Sequence, residues 1–314
     1  MNEEAGHPTY FAFANAAPAV KSNPRCASEV PDILAGRYRL ERLLGAGGMG
    51  VVYRALDLLH EQYADPDPYL ALKMLSEAFD ESADGSALLY SEFALTRRLH
   101  HPNILRPYTF EVDVGQRRAF ITMELMRGLT LDQLLCERPL GLPWPELKAI
   151  AVPLLDALAY AHSRGVLHGD MKPSNVMLSE EGLRLFDFGL GLAEGGPSQH
   201  LPNLNRERLN AWTPGYAAPE LLEGAHLSAR ADVYGVACVL YELASGQHPF
   251  RRLPATQARD ARLERGLKAP RNLPRRCWPA LRMALALDPE QRRIGAAQLR
   301  DALEGWPFWW KRTC

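Results

Sequence analysis

A change of hydrophobic period partway along the chain constrains its fold more than any other feature. Up to about residues 124–128 the apolar residues come in short alternating runs, and beyond Gly128 they come in long stretches with helical spacing. Residues 38–55 alternate on either side of a glycine-rich break, which predicts two strands joined by a turn. A polar stretch, 58–68, precedes a third apolar strand at 69–75, and no purpose for its length is legible in the sequence. Residues 86–99 carry a helical pattern that ends at His101-Pro102-Asn103, and 106–112 and 118–123 read as two further strands. The expectation is α+β: a small sheet with one helix, then a mostly helical second part, with no internal repeat.

With 314 residues and 47% hydrophobic content the chain can bury a large core. A net charge of -1 gives no electrostatic reason to expect a nucleic-acid partner. Five cysteines, odd in number and without a CxxC pair, suit a reducing cytoplasm. The first residues show neither a basic n-region nor an apolar stretch, and no window reaches the length of a membrane span, so no secretory signal and no transmembrane segment are expected. Residues 1–36, rich in Ala, Pro, Asn and Ser, read as a flexible lead-in. Residues 306–314 form an aromatic and basic tail, read as folding back onto the last helix, with a membrane interface as the alternative. From Arg251 onward Arg greatly outnumbers Asp and Glu, which marks a basic face, either merely solvated or a dock for acidic partners.

Gly45, Gly47, Gly48 and Gly50 spell GxGxxG, a pattern shared by dinucleotide-binding folds and by phosphate-covering hairpins. The next residues, Val51-Val52-Tyr53-Arg54-Ala55, make a strand rather than a helix, which favours the hairpin. In Leu70-Ala71-Leu72-Lys73 a lysine sits inside an apolar strand, where burial requires a partner anion; Glu92 on the following helix is the candidate.

The decisive residues are Val166-Leu167-His168-Gly169-Asp170-Met171-Lys172-Pro173-Ser174-Asn175, followed by Leu185-Phe186-Asp187-Phe188-Gly189. Together they resemble the catalytic loop and the metal-binding DFG element of protein kinases. Thr213-Pro214-Gly215-Tyr216-Ala217-Ala218-Pro219-Glu220, Ala231-Asp232-Val233-Tyr234-Gly235 and Leu287-Asp288-Pro289-Glu290-Gln291-Arg292-Arg293 come next, in that family's order. The wording is similar to bacterial serine/threonine kinases of the eukaryotic-like (Hanks) type, over about 37–305.

The resemblance implies a two-lobed α+β fold. A small lobe at 37–126, with a five-stranded antiparallel sheet and one helix, would sit over a mostly helical large lobe at 127–305, with ATP in the cleft between them. It implies Asp170 as the acceptor of the substrate hydroxyl proton, and Lys73 (aimed by Glu92) and Lys172 as the phosphate cations. Asn175 and Asp187 would hold Mg²⁺, with Mn²⁺ as a second ion of the same donor chemistry. The nucleotide would lie among Gly45, Gly47, Gly48, Gly50, Val52, Ala71 and Lys73, with Met123 as gatekeeper and the backbone of Glu124 to Met126 receiving adenine. Phe186 is a further candidate lining residue. Glu220 with Arg292 would form a structural ion pair, and Asp232 would brace the catalytic loop. The implied partners are ATP and proteins bearing Ser or Thr, this chain among them by autophosphorylation.

One position departs from the pattern: Gly169 stands where most protein kinases place Arg. That Arg pairs with a phosphate on the activation segment, which here offers only Ser198 and Thr213, so the expectation is activity without phosphorylation of that segment. His-Gly-Asp is also how aminoglycoside-type phosphotransferases write this loop. Lys172, Phe188-Gly189 and Ala218-Pro219-Glu220 argue for a protein substrate instead. A pseudokinase scaffold conflicts with the presence of Lys73, Asp170, Asn175 and Asp187.

Overall fold

The structure is a computed structural model and describes residues 10–11, 32–46, 50–75, 85–188, 192–193 and 212–305. Gly47, Gly48, Gly189, Ser198, most of the 1–36 lead-in and the 306–314 tail lie outside the described residues.

The first part is built on β1 (Tyr10–Phe11), β2 (Ile33–Leu34), β3 (Tyr38–Ala46), β4 (Gly50–Asp57), β5 (Tyr69–Leu75), β6 (Pro107–Asp113) and β7 (Arg118–Met123). The order across the sheet is β1-β3-β4-β5-β7-β6, with β2 also on β3, and every pairing is antiparallel. Seven strands replace the five expected. The two extra ones, β1 and β2, are two residues each and too short to show an alternation in sequence.

Alternation gives the sheet two unlike faces. Leu70, Leu72 and Met74 pack with Tyr38, Ala55 and Phe120 on one face. Val52, Ala71, Ile121 and Met123 pack on the other, with Leu89 and Phe93 from α2 (Gly85–Thr96).

The stretch 58–68 is corrected from a plain polar loop. It opens with α1 (Leu58–Gln62), and the sequence missed it because five residues cannot show helical periodicity. The helix is nucleated by tertiary contacts: Asp57 Oδ1 accepts the Leu59 N–H at 3.1 Å as its N-cap, and the buried Asp57 carboxylate takes two hydrogen bonds from Arg37, at 2.9 and 2.7 Å. The returning chain is closed by the Asp57 N–H donating to Pro68 O at 2.9 Å.

Helices dominate the second part. β8 (Gly128–Thr130), α3 (Leu131–Glu137) and α4 (Trp144–Ser163) lead to β9 (Val166–Leu167). The hairpin β10 (Val176–Ser179) and β11 (Gly182–Leu185) follows, and the short β12 (Leu192–Ala193) pairs with β9. After α5 (Pro219–Leu222) comes α6 (Ala229–Ser245), then α7 (Ala255–Asp260), α8 (Trp278–Ala284) and α9 (Ala296–Glu304).

Helix α6 is apolar nearly all round and therefore forms the centre of the core, packed against α4 and α8. Ser228 caps its start by accepting the Ala231 N–H, and Gly246, at φ +72°, ends it. A Cβ at Gly246 would meet Pro139 O at 2.0 Å, so glycine is required there by space as well as by conformation.

Candidate active site

The hairpin β10–β11 places Asn175 just before its first strand and Phe186-Asp187 just after its second, so residues twelve apart in sequence end side by side. The Phe186 N–H donates to Asn175 O at 3.1 Å and fixes that junction. Asp187 takes a left-handed backbone, φ +67°, a conformation that costs a non-glycine residue of order 1–3 kcal/mol and is found mostly where function demands it.

Lys73 lies opposite Ile121 and Val52 in the sheet, on the face that looks toward the second part of the chain. It is buried, and its ammonium donates to Glu92 Oε1 and Oε2 at 2.7 and 2.8 Å and to Asp187 Oδ1 at 2.8 Å. The sequence reading anticipated the first anion and missed the second, since nothing in β5 points to a residue 114 positions away. Burial alone would lower the Lys73 pKa, but the charges of Asp187 and Glu92 outweigh it and raise it. Burial pushes the Glu92 carboxyl up, only partly offset by Lys73 and reinforced by Asp187. Burial acts in the same direction on Asp187, yet Lys73 and Lys172 together hold it below the ordinary carboxylate range.

Asp170 and Lys172 form a second cluster, near enough to the first for the Lys172 charge to act on Asp187. Lys172 Nζ lies 2.5 Å from Asp170 Oδ2, and Thr213 Oγ1 donates to Asp170 Oδ1 at 2.9 Å while accepting from Lys172 Nζ at 3.2 Å. The Asn175 amide donates to the Asp170 backbone oxygen at 2.8 Å and to its carboxylate at 3.3 Å. That leaves Asn175 Oδ1 buried without a hydrogen-bond partner among the described residues. An orphaned oxygen is costly in a protein interior, and the residue that carries it is joined through its backbone to Phe186, the neighbour of Asp187; an amide oxygen and a carboxylate are a donor set that suits a hard divalent cation.

The loop itself is suspended from α6. Asp232, buried, accepts the His168 and Gly169 N–H groups at 2.8 Å each and contacts His162 Nε2 at 2.9 Å. Burial would raise its pKa; these hydrogen bonds and the His162 ring hold it low. Gly169 sits at φ +87°, a conformation that glycine adopts without steric cost.

Of the glycines read from the sequence, Gly45 lies in β3 opposite Val52, and Gly50 opens β4 so close to β5 that a Cβ would stand 2.4 Å from Met74 O. Val52, Ala71, Met123 and Met126 share one apolar cluster with Phe186. Met177, from β10, belongs to the same cluster and was not foreseen, because a buried methionine has no distinguishing pattern. The Glu124 N–H is already given to Arg106 O at 3.1 Å, and its side chain accepts the Arg106 N–H at 2.8 Å, so only its carbonyl is left for a ligand.

A third group of contacts escaped the sequence reading. Tyr216 donates to Glu242 Oε2 at 2.5 Å, Arg252 Nη2 to Glu242 Oε1 at 2.7 Å, and the His248 ring packs edge-on against Tyr216 with 5.0 Å between centroids. These contacts tie the 213–218 segment to the end of α6. The pairing of Glu220 with Arg292 was anticipated and is present at 2.6 Å.

Comparison with known proteins agrees with this geometry. The family model described as protein kinase domain matches residues 38–302. The chain is 33% identical over 286 residues to the serine/threonine-protein kinase PkaA of Streptomyces coelicolor, covering 87% of this chain and 51% of that protein. It is 35% identical over 218 residues to the serine/threonine-protein kinase PknE of Mycobacterium bovis, covering 69% of this chain and 36% of the relative. The chain thus spans about half or less of the curated relatives it matches. Among solved structures, the Mycobacterium tuberculosis PknI kinase domain superposes with a TM-score of 0.62 at 30% identity, over 89% of this chain and 99% of that one.

Proposed function

Because the chain belongs to the protein kinase family, we propose that it is an ATP- and Mg²⁺-dependent kinase that phosphorylates Ser and Thr hydroxyls of proteins. The observation that carries this reading is the convergence of Lys73, Glu92 and Asp187 from one side and Asp170, Lys172, Asn175 and Thr213 from the other.

Asn175 Oδ1 and the Asp187 carboxylate would hold the metal, with Mn²⁺ as the alternative ion. Bound Mg²⁺ supplies neutralisation of phosphate charge. Lys73, oriented by Glu92, pairs with phosphate oxygens, and Lys172 offsets charge on the group in transfer. Asp170 accepts the proton of the attacking hydroxyl, its carboxylate aimed by Thr213 and Asn175. Gly45 and Gly50, with Gly47 and Gly48 between them, would cover the phosphates. Val52, Ala71, Met126, Met177 and Phe186 would enclose adenine, and the Glu124 carbonyl would bind its edge. Catalysis of this kind rests on positioning and electrostatics rather than covalent chemistry.

A protein substrate is supported by the ordered segment 213–220, pinned through Glu220 to Arg292. Autophosphorylation and a cytoplasmic setting belong to the same reading, and no nucleic-acid partner is expected. No described helix is long and apolar enough to cross a membrane, and Cys136, Cys238 and Cys277 are free thiols. The test is transfer of labelled γ-phosphate from ATP with Mg²⁺ to the chain itself, to general protein substrates and to aminoglycosides, wild type beside Asp170→Ala. Label on protein Ser or Thr that disappears in the variant supports the proposal. Label confined to the small molecule overturns it.

A further inference from the structure

The segment that holds Thr213 against Asp170 rests on a turn, His248 to Arg252, whose construction is unusual. Arg251 and Arg252 stand consecutively in the left-handed region, at φ +56° and +59°. Two adjacent non-glycine residues there are strained, and the surroundings must hold them in place. His248 Nδ1 accepts both the Phe250 N–H at 3.1 Å and the Arg252 N–H at 3.0 Å, closing the turn. The same ring packs on Tyr216, Arg252 pairs with Glu242, which also binds the Tyr216 hydroxyl, and a Cβ on Gly215 would stand 3.3 Å from Arg252 O. Turn and segment are therefore one rigid unit.

Within this unit Arg252 is spent on neutralising the buried Glu242. Arg251 is exposed and makes no ion pair among the described residues. The wider field has the same sign: residues 251–276 hold nine Arg or Lys against two acidic residues. The acidic side chain shown at the turn, Glu242, is taken by Arg252 and the Tyr216 hydroxyl.

The separation from the reacting position can be bounded. Thr213 touches Asp170, Gly215 is two residues on, and a Cβ on Gly215 would stand 3.3 Å from Arg252 O, so the turn lies at most roughly 17 Å from the Asp170 carboxylate at about 3.5 Å per residue. An extended substrate chain covers that distance in no more than about five residues.

We propose that Arg251 forms an anion subsite that selects substrates carrying Asp, Glu or a phosphorylated side chain about two to four residues from the Ser or Thr to be phosphorylated. This rests on the kinase reading above. An exposed guanidinium on a held backbone, with no ion pair among the described residues, gives selectivity of about threefold to fivefold, the range of a surface ion pair, and the effect shrinks as salt rises. Because the strained turn is held by its own hydrogen bonds, the cation is presented without the cost of ordering the backbone on binding.

The experiment is a set of Ser and Thr peptides in which each position from four before to four after the acceptor is Glu, Gln or Lys in turn. kcat/KM is measured for wild type, Arg251→Gln, Arg251→Glu and, as a distant basic control, Arg265→Gln. The expected result is a Glu over Gln preference at one or two positions in wild type and in Arg265→Gln. That preference should vanish in Arg251→Gln and reverse toward Lys in Arg251→Glu. Equal rates on all wild-type peptides, or a preference that survives both Arg251 variants, overturns the subsite while leaving the kinase reading intact. A preference lost equally in Arg265→Gln assigns it to the diffuse basic field and also overturns the role of Arg251. Absence of transfer to any peptide or protein by wild type overturns both readings.

Discussion

Arg292 is completely buried, 0% exposed, and its guanidinium grips the Glu220 carboxylate with two hydrogen bonds, at 2.6 and 3.3 Å. The remaining donors reach Ala286 O, at 3.1 and 2.8 Å, and Arg230 O at 2.9 Å. Residues 72 apart in sequence are thus locked into one junction, and every donor of a buried cation has a partner.

Breaking that junction from one side leaves the carboxylate without its cation. Arg292→Met is expected to cost about 3–5 kcal/mol and to lower the melting temperature by roughly 10 °C. Thermal or urea unfolding checks this. The double variant Arg292→Met with Glu220→Leu should recover part of the loss, because no unpaired charge then remains.

Lys73 stands between two carboxylates, so its removal both deprives the phosphates of a cation and leaves Glu92 and Asp187 repelling each other. Lys73→Met should reduce kcat/KM by about 10²–10³-fold, and Asp187→Asn should abolish metal-dependent transfer. Full activity in both variants would refute the assignment of the site.

Thr213 contacts Asp170 and Lys172 but carries no charge of its own in the reaction. Thr213→Val should lower kcat by about tenfold to a hundredfold with an unchanged melting temperature, since the carboxylate is left misaligned rather than lost. Thr213→Ser, which restores the hydroxyl, should recover most of the rate.

Activity should not depend on phosphorylation of the segment before Ala218. Gly169 offers no cation to receive a phosphate, and the loop is already held by Asp232 and Thr213. Protein treated with phosphatase and then freed of it should retain its rate in an initial-velocity assay; loss of nearly all activity contradicts this.

Stability should fall in mild acid for a reason located at His248. Burial lowers its pKa from 6.5 to about 4, with the Arg252 charge acting the same way and Glu242 opposing. A base with a depressed folded value stays neutral in the fold while the unfolded chain takes up a proton below about pH 6.5. The unfolded state is therefore favoured as pH falls from there toward 4. Between pH 7 and 5 the loss is at most about 2 kcal/mol. Urea midpoints for wild type and His248→Gln should show a flatter pH dependence in the variant across that interval.

Much of this site is legible in the amino-acid order. The motifs around Asp170, Lys172, Asn175 and Asp187 lie in two short stretches, so local order alone discloses them. The buried charge of Lys73 demanded an anion, and the helix after β5 supplied Glu92 at 2.7 Å. Helix α1 and strands β1 and β2 were not legible: they have too few residues for a period and are held by partners distant in sequence, such as Arg37 for Asp57 and β3 for both strands.

By itself the sequence determined the two-part α+β plan, the family and the residue types at the reacting position, because hydrophobic period and motif order are local properties of a chain. Tertiary structure alone decided which groups meet. It brought Asp187 to Lys73, left Asn175 Oδ1 without a partner among the described residues, and fixed Tyr216 and Arg252 on Glu242. The physical reason is that hydrogen bonding, burial and charge compensation act through space at about 3 Å, a distance that sequence separation does not encode.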